Sequence, residues 1–392
     1  MSSRTTLQLS ALLSSIGLVS FAGCSSTNTN NAAVGGTGSG NTNNTTISAG
    51  YEQSCSVVKG RAQCWGSNVY GQLGDGSTTK SLVPVQVQGL TADTSHISGG
   101  RSFTCAVVSG GVKCWGQNLN GELGDDSNTD SHVPVQTHGL TSGVTAISTG
   151  QYNACAVFSG GVLCWGLNSK GALGNNSTTE SHVPVLVQGM VSGATDVVIG
   201  YEHACAVVAG GVQCWGDNSY GSLGNNSTTD SHVPVQVEGL TSGSTAVVAG
   251  WNHSCALVYG AVLCWGNNQY GQLGNNSTIP SSVPVPVKDL SSGVTAIAAG
   301  DTHNCAVVNG SAYCWGENNR GQLGNDSTTE SRVPVQVHDL TSGVSAISGG
   351  LYHTCATVGD KYYCWGDNSE GQLGNNSEGD SPVSVPVQVQ FP

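Results

Sequence analysis

Apolar and polar residues alternate over short stretches of this chain, and the same stretches return every 50 residues. In residues 101–150 the apolar segments read TCAVV, VKCWG, VPVQT and VTAIS, and runs of Gly, Asn, Ser and Thr separate them. Short segments rich in Val, Thr and Ile and bounded by turn formers are typical of β-strands. The pattern predicts four strands per repeat, joined by a tight turn, a long loop and a second turn.

The repeat keeps its register along the chain. Each copy carries two cysteines nine positions apart, one tryptophan in its CWG segment and one proline in its VPV segment. The tryptophans are Trp65, Trp115, Trp165, Trp215, Trp265, Trp315 and Trp365. Only the last copy departs from the spacing, because SPVSVPV carries a two-residue insertion before Pro386. A fixed period of this size indicates an architecture in which each copy is one structural unit.

A four-stranded sheet of about 50 residues cannot bury both faces alone, whereas sheets packed radially around an axis can. The sequence therefore predicts an all-β fold, a seven-bladed β-propeller of four-stranded blades over residues 45–392. We expect each tryptophan to fill the wedge between two neighbouring blades. We also expect NTTISAG, which precedes the first copy, to supply a strand that the seventh copy lacks. The ring would then be closed by the N-terminal strand completing the last blade.

Composition supports this fold and narrows the choice of partner. The chain has 57 Gly in 392 residues and 9% charged residues, and no stretch has the spacing of an amphipathic helix. Its formal net charge is -13. Proteins that hold phosphate backbones need basic surface, so we predict no nucleic-acid partner.

The first 44 residues resemble an export signal followed by a tether. Residues 1–23 contain one positive charge, a short apolar stretch and small residues just before Cys24, as in a bacterial lipoprotein signal peptide. We expect cleavage before Cys24 and lipidation of its thiol, which would anchor the chain to the cell-envelope membrane outside the cytoplasm. An ordinary cleaved signal peptide is the alternative. Residues 24–44, rich in Asn, Thr, Gly and Ser, are expected to form a flexible tether.

Cysteine counting agrees with export. Of 15 cysteines, Cys24 is the odd one, and the remaining 14 form seven pairs. In CAVVSGGVKC a turn at Ser109 and Gly110 sets Cys105 opposite Cys114, with Cα atoms about 4.5 Å apart, which a disulfide accepts. Zinc is the alternative, but the spacing is wide and no histidine accompanies each pair. We predict one disulfide per copy: Cys55 with Cys64, Cys105 with Cys114, Cys155 with Cys164, Cys205 with Cys214, Cys255 with Cys264, Cys305 with Cys314, and Cys355 with Cys364.

The repeat also resembles a known family. GYEHACAVVAGGVQCWGDNSYGSLGNNS, from residue 200, is similar to the repeat of the regulator of chromosome condensation family, and the resemblance covers residues 45–392. It implies a seven-bladed propeller used for protein binding. By analogy with relatives it also implies guanine-nucleotide exchange or hydrolase inhibition. The acidic charge, the export signal and the paired cysteines argue against exchange, so no exchange residues are carried over.

The copies diverge at one end of each blade, where the GxxH and WGxNxx segments are expected to meet. Large aromatic residues supply rigid contact area at protein interfaces, so we predict that this face binds a protein partner. Lys170 and Arg320 lie in the same loops. The predicted binding residues are Tyr51, Phe103, Tyr152, Tyr201, Trp251 and Tyr352 in the GxxH segments and Tyr70, Tyr220 and Tyr270 in the neighbouring loops.

Two alternatives stay open for these aromatic residues. They could pack over the central channel, or they could stack against a carbohydrate. A glycan site would need carboxylates and amides that converge on one pocket. We expect the chain to be monomeric.

We predict that the chain is not an enzyme and needs no cofactor or metal. Asp126, Asn128 and Asp130 begin like a calcium loop, but the glycine and the late glutamate of that loop are missing. Four histidines recur at one repeat position and could form a metal ring or supply a base. The family repeat has histidine at this position, which favours a structural role. These residues are His203, His253, His303 and His353.

Overall fold

The computed structural model describes residues 45–392, and the predicted signal peptide, Cys24 and tether lie outside the described residues. The described chain forms seven antiparallel sheets of four strands each, which confirms the seven-bladed propeller. Within residues 45–392 no helix has the length and apolar character needed to cross a bilayer.

Four consecutive strands make up each blade, in sequence order from the central channel outward. The first four blades are Thr45–Ala49 (β1), Gln53–Val58 (β2), Arg61–Gly66 (β3), Ser81–Gln86 (β4); Thr94–Gly99 (β5), Phe103–Val108 (β6), Gly111–Gly116 (β7), Ser131–Gln136 (β8); Val144–Thr149 (β9), Asn153–Phe158 (β10), Gly161–Gly166 (β11), Ser181–Leu186 (β12); and Ala194–Ile199 (β13), His203–Val208 (β14), Gly211–Gly216 (β15), Ser231–Gln236 (β16). The last three are Ser244–Ala249 (β17), His253–Val258 (β18), Ala261–Gly266 (β19), Ser281–Pro286 (β20); Val294–Ala299 (β21), His303–Val308 (β22), Ser311–Gly316 (β23), Ser331–Gln336 (β24); and Val344–Gly349 (β25), His353–Val358 (β26), Lys361–Asn368 (β27), Gly379–Gln388 (β28).

The predicted ring closure is wrong. The N-terminal strand β1 pairs with β2 in the first blade, and the last blade consists of β25 to β28 alone. The reason is connection length: only residues 50–52 separate β1 from β2, so the two strands form a hairpin, whereas residues 87–93 carry the chain from one blade to the next. The strand before each GxxH segment therefore begins a blade and does not end one.

Side chains close the ring where a shared strand was expected. Phe391, just after β28, places its ring edge-on to Trp65 of the first blade, with centroids 6.3 Å apart. Its ring also lies 5.2 Å from that of Tyr362 in the last blade. The indole Nε1 of Trp65 donates to the carbonyl of Gln372 in the last blade at 2.9 Å. The first and last blades thus join through the same kind of packing as other neighbours.

Each blade tryptophan is fully buried between two blades, as predicted. Trp115 packs with Leu73, Val87 and Leu90 of the preceding blade, and its Nε1 donates to the carbonyl of Gln72 there at 2.9 Å. The prolines of the VPV segments fall in the outermost strands. Pro cannot donate to a sheet ladder, so an edge strand is where it is tolerated.

All seven predicted disulfides are present. The tight turn at Ser109 and Gly110 has positive φ at both residues, 51° and 79°, as a two-residue hairpin with the twist of a type I′ turn requires. It places Cys105 opposite Cys114 with Cα atoms 4.1 Å apart. The sulfurs lie in the hydrophobic core of the blade, because the cysteines are buried.

Four buried histidines join neighbouring blades. The Nε2 atom of His353 lies 2.8 Å from the Ser54 hydroxyl, and that hydroxyl donates to the carbonyl of Gln372 at 2.9 Å. A hydroxyl has one hydrogen, so Nε2 of His353 must carry the proton and donate it. His203 and His303 face hydroxyls in the same way, and His253 faces the side-chain oxygen of Asn304.

Burial holds these imidazoles in the neutral form. It lowers the pKa of His203, His253 and His353 to about 4 and that of His303 to about 3. In the unfolded chain a histidine titrates near pH 6.5. Below that pH these histidines bind protons in the unfolded chain but not in the folded chain. Their contribution to the free energy of unfolding is therefore fully present above pH 6.5 and is lost as the pH falls toward 4.

We predict that loss of one disulfide weakens the blade without abolishing the fold. Replacing Cys105 and Cys114 together with Ala should lower the free energy of unfolding by about 2 to 3 kcal/mol, because the closed loop is short. Urea titration of the oxidised chain measures this change. Peptide mapping of the unreduced wild type should recover seven intra-repeat disulfides, and a cysteine linked between repeats would contradict the pairing.

We predict that His353→Gln reduces the acid sensitivity of the fold. At pH 5 one such histidine costs on the order of 2 kcal/mol of stability relative to neutral pH, and glutamine does not titrate. Gln53 occupies the equivalent position in the first blade. The fall in Tm between pH 7.5 and pH 5 should therefore be smaller in the variant. His138→Gln, at an exposed position, is the control and should behave as wild type.

Candidate functional site

The turns between the first and second strands and the loops between the third and fourth strands lie at the same end of each blade, as predicted. The backbone N–H of Ser67 donates to the carbonyl of Glu52 at 2.9 Å, and Gln117 repeats this bond to Ser102 at 2.9 Å. We call the surface that these turns and loops form the upper face. The tight turns between the second and third strands form the lower face.

A buried asparagine organises each upper loop. The Nδ2 of Asn68 donates to the carbonyls of Ser77 and Thr79 at 3.1 and 3.0 Å, and its Oδ1 accepts the N–H of Leu73 at 2.9 Å. The same bonds recur around Asn218 in another blade. This asparagine recurs in every WGxN segment, and that recurrence is the sequence signal for a role that the strand pattern alone does not reveal.

A ring of glycines surrounds the axis at the upper face. A Cβ atom on Gly200 would lie 2.3 Å from the carbonyl oxygen of Gly250, and one on Gly350 would lie 2.3 Å from that of Gly50. Only glycine fits such an approach. Backbone bonds join some of the turns directly, as where Leu351 N–H donates to Gly50 at 3.2 Å.

The residue after the glycine of several GxxH segments lines the mouth of the central channel. Tyr51, Gln151, Tyr201, Asp301 and Leu351 contribute to it. The Gln151 amide donates to the Tyr51 hydroxyl at 3.3 Å, and that hydroxyl is within hydrogen-bonding reach of the Asp301 carboxylate. The side chain of Tyr51 therefore extends from the first blade toward the third and the sixth.

Below this mouth, the innermost strands line a channel with a cavity volume of about 140 Å³. Serine hydroxyls on part of its wall accept N–H groups of the next blade, as Ser48 does from Gly99 and Ser148 from Ile199, at 3.0 and 3.1 Å. The oxygens of Ser48 and Ser148 accept these bonds, and their hydroxyl hydrogens are not used in them. Val198 and Val248 make other parts of the wall apolar.

Two predicted binding residues form an aromatic pair on the upper face. The rings of Tyr201 and Trp251 have centroids 5.4 Å apart and are inclined at 54°. Trp251 is 40% exposed, and Tyr220, in the loop after β15, is 47% exposed. Large aromatic residues that remain this exposed are free to contact another molecule.

A second group surrounds Arg101. Its guanidinium carbon lies 5.7 Å from the ring centroid of Tyr51 and 5.3 Å from that of Tyr152, and it donates to the Tyr152 hydroxyl. Tyr70, which is 38% exposed, lines the same cleft. Glu52 and Gln117 also line it, so a carboxylate and an amide converge on three tyrosines.

The structure does not support Phe103 as a binding residue, because it is only 1% exposed and belongs to the core cluster around Trp165. The last residue of each GxxH segment begins the second strand and points between blades, where other copies carry Gln53 or His353. The two positions before it hold the residues of these segments that reach the surface, although Gln151 and Thr302 at those positions are buried. Tyr352 and Tyr270 are partly buried on the remaining part of the face.

The upper face carries more acids than bases. Lys170 is ion-paired with Asp217 at 3.4 Å, and Arg320 with Asp367 at 3.7 Å. The acids of the turns and loop starts are Glu52, Glu202, Asp217, Asp301, Glu317, Asp367 and Glu370, and the bases are Arg101, Lys170 and Arg320. The surface therefore has a negative balance after these pairs are counted.

The histidines considered for a metal ring lie in the blade interfaces and not in the channel wall. Asp130, from the calcium-like sequence, accepts the backbone N–H of Asn118 at 2.8 Å and so caps a loop. Among residues 45–392, no three His, Cys, Asp or Glu side chains are grouped as metal ligands would be.

Comparison with solved structures shows the same fold. Human WBSCR16 aligns with a TM-score of 0.75 at 24% identity, covering 85% of this chain and 94% of that one. Yeast RCC1 (Prp20) bound to Kap60 aligns with a TM-score of 0.72 at 20% identity, covering 84% and 83%. Prp20p from Saccharomyces cerevisiae, in a study of its binding to Gsp1p and histones, gives 0.72 at 22%, covering 84% and 85%. No curated protein matches the chain.

Family models match the repeats directly. Residues 162–392 match the RCC1-like domain, and residues 59–107 match the regulator of chromosome condensation (RCC1) repeat. The first match alone spans more than half of the chain, and both lie within the propeller described above. The chain therefore belongs to the RCC1-like family of β-propellers.

Proposed function

We propose that this propeller binds a protein partner through its upper face, outside the cytoplasm. The observation that carries the proposal is the exposed aromatic pair of Tyr201 and Trp251, with Tyr220 nearby in sequence on the same face. Interface hot spots are enriched in Trp and Tyr, which offer large rigid surfaces at small entropic cost. The repeats are similar in sequence in their strands, whereas at the upper face they differ and carry large aromatic residues.

Family membership supports binding as the general role. Yeast RCC1 forms a complex with Kap60, and the study of Prp20p concerns its binding to Gsp1p and histones. At 20 to 22% identity these relatives support the fold and the class of function, and they do not identify the partner. The acid excess of the upper face favours a partner whose contact surface is basic as well as apolar.

The disulfides support a location outside the cytoplasm. Seven bonds per chain form and persist in oxidising compartments and are rare in a reducing cytosol. Lipidation of Cys24 and a tether of residues 24–44 would hold the propeller near a membrane while leaving it free to turn. These segments lie outside the described residues and remain predictions.

Carbohydrate binding is the second candidate, favoured by one observation. The cleft around Arg101 brings Tyr51, Tyr70 and Tyr152 together with a carboxylate and an amide. This is the convergence that a glycan site needs. Protein binding ranks first because the most exposed predicted aromatic residues, Trp251 and Tyr220, do not line that cleft.

We predict that Tyr201→Ala with Trp251→Ala weakens partner capture by at least about tenfold, because truncating aromatic hot-spot residues typically costs about 2 to 4 kcal/mol. Capture of the native partner from envelope extract by the immobilised chain, quantified against protein concentration, measures the effect. Thermal unfolding should change little, since both residues are partly exposed.

Tyr259→Ala is the matched control for this experiment. Tyr259 is an exposed aromatic residue in a tight turn of the lower face, and Ala209 occupies the same turn position in another blade. It should leave capture unchanged. If capture survives loss of Tyr201 and Trp251 but is abolished by Tyr70→Ala or competed by free glycan, the cleft is the site and carbohydrate the ligand.

We predict that Cys24→Ala releases the chain from membranes. Without the thiol no lipid can be attached, and the propeller would become freely soluble after export. Fractionation of cells that express wild type or variant, followed by mass measurement of the mature N-terminus, tests this. Membrane retention of the variant would indicate another anchor.

A further inference from the structure

Two acceptor atoms at the mouth of the channel have no hydrogen-bond partner. They are Oε1 of Gln151 and Oδ2 of Asp301, and both atoms are sealed from solvent. Gln151 is only 8% exposed. Leaving a buried acceptor unsatisfied costs about 1 to 3 kcal/mol, and more when it is charged. Because both unsatisfied acceptors lie in one cavity, a ligand with hydrogen-bond donors could satisfy them together.

Tyr51 holds these two side chains in position. Its hydroxyl accepts a hydrogen bond from Nε2 of Gln151 at 3.3 Å and lies within hydrogen-bonding reach of Asp301. The Gln151 amide nitrogen is thereby used, while its oxygen stays free. The ring of Tyr51 also extends along the cavity mouth, so an occupant must enter beside it or displace it.

The surroundings offer acceptors and little positive charge. Glycine carbonyls form the rim, and the Tyr51 oxygen can accept one further hydrogen bond. Arg101 is the cation near Asp301, and it is engaged by the rings of Tyr51 and Tyr152 and by the Tyr152 hydroxyl. Glu317 adds a second negative charge near Asp301.

Burial disfavours the charged form of the Asp301 carboxyl. It raises the pKa of Asp301 to about 7, and the charge of Glu317 adds to the rise, while Arg101 opposes it. A carboxylate kept this far from water is stabilised in its charged form by a cation that also donates hydrogen bonds.

We propose that the channel mouth receives the primary ammonium group of a lysine side chain that the protein partner projects along the axis, between Asp301, Gln151 and Tyr51. An ammonium has three donors and no acceptor, and the three side chains present three acceptor oxygens. Within residues 45–392 no grouping of His, Cys, Asp and Glu suits a metal ion instead. This inference rests on the proposed function, which it refines by naming the chemistry of the partner at the axis.

The first test uses n-butylammonium as a probe that copies the lysine side chain. Nuclear magnetic resonance of the 15N-labelled chain follows the side-chain amide of Gln151 during titration. We expect a saturable shift with butylammonium and none with tetramethylammonium, which has the same charge but no N–H donor. Equal shifts with both cations, or none with either, would overturn the proposal without any variant having to fold.

The second test removes the charge at the axis. Asp301→Asn keeps the shape of the side chain and should raise the Kd for butylammonium at least tenfold. Asp360→Asn is the charge-matched control, because Asp360 is exposed in a tight turn of the lower face, and it should bind as wild type. Equal affinity of Asp301→Asn and wild type would overturn the proposal.

A third measurement separates this inference from the proposed function. If the chain captures a partner through Trp251 and Tyr201, Asp301→Asn should reduce that capture at least tenfold, and so should acetylation of the partner's lysines. Capture that depends on the aromatic pair but not on Asp301 would keep the proposed function and reject the axial lysine. Butylammonium binding without any captured partner would reject the function and keep the ammonium site.

Discussion

The packing of one tryptophan into the wedge between each pair of blades is the interaction on which the rest of the propeller depends. Its indole is fully buried, and its Nε1 reaches a backbone carbonyl of the preceding blade at 2.8 to 2.9 Å in every copy. The acceptor belongs to the backbone of the GxLG segment, so its side chain is free to vary, as Glu122 and Ala172 do. This hydrogen bond therefore does not depend on which side chain a copy carries at that position.

This arrangement explains where the chain can place function. Buried asparagines stabilise the upper loops, disulfides stabilise the hairpins, and glycines allow the close approach at the rim. The side chains of the two residues between Gly and His in each GxxH segment, and those at the loop tips, are therefore less constrained by packing. Substitutions there change the surface while the core stays the same. Loops positioned by a rigid scaffold are where binding residues are commonly found. The aromatic pair of Tyr201 and Trp251 and the acceptor side chains of Gln151 and Asp301 all lie at these positions.

The ring closes without a strand shared between its first and last blades. Phe391 and Trp65 supply the contact, together with the hydrogen bonds of His353 to Ser54 and of Ser54 to Gln372. Because this contact has the same chemistry as the other interfaces, the buried neutral histidine contributes to ring closure as well as to blade packing. Acid conditions that protonate histidine in the unfolded chain therefore weaken closure together with the three other interfaces that contain His203, His253 and His303.

The sequence by itself determined the strands, the blade count, the disulfide pairing and the face on which the copies diverge, because all of these follow from local spacing and a fixed period. Tertiary structure decided the rest. Whether the strand before GxxH ends one blade or begins the next depends on the short connection of three residues that follows it. Phe103 is buried by residues of the neighbouring blade, whose position cannot be read from the sequence around Phe103. Residues 51, 151 and 301 meet only because the ring brings the first, third and sixth blades to one axis. No local pattern contains that distance, since the residues are 100 and more positions apart along the chain.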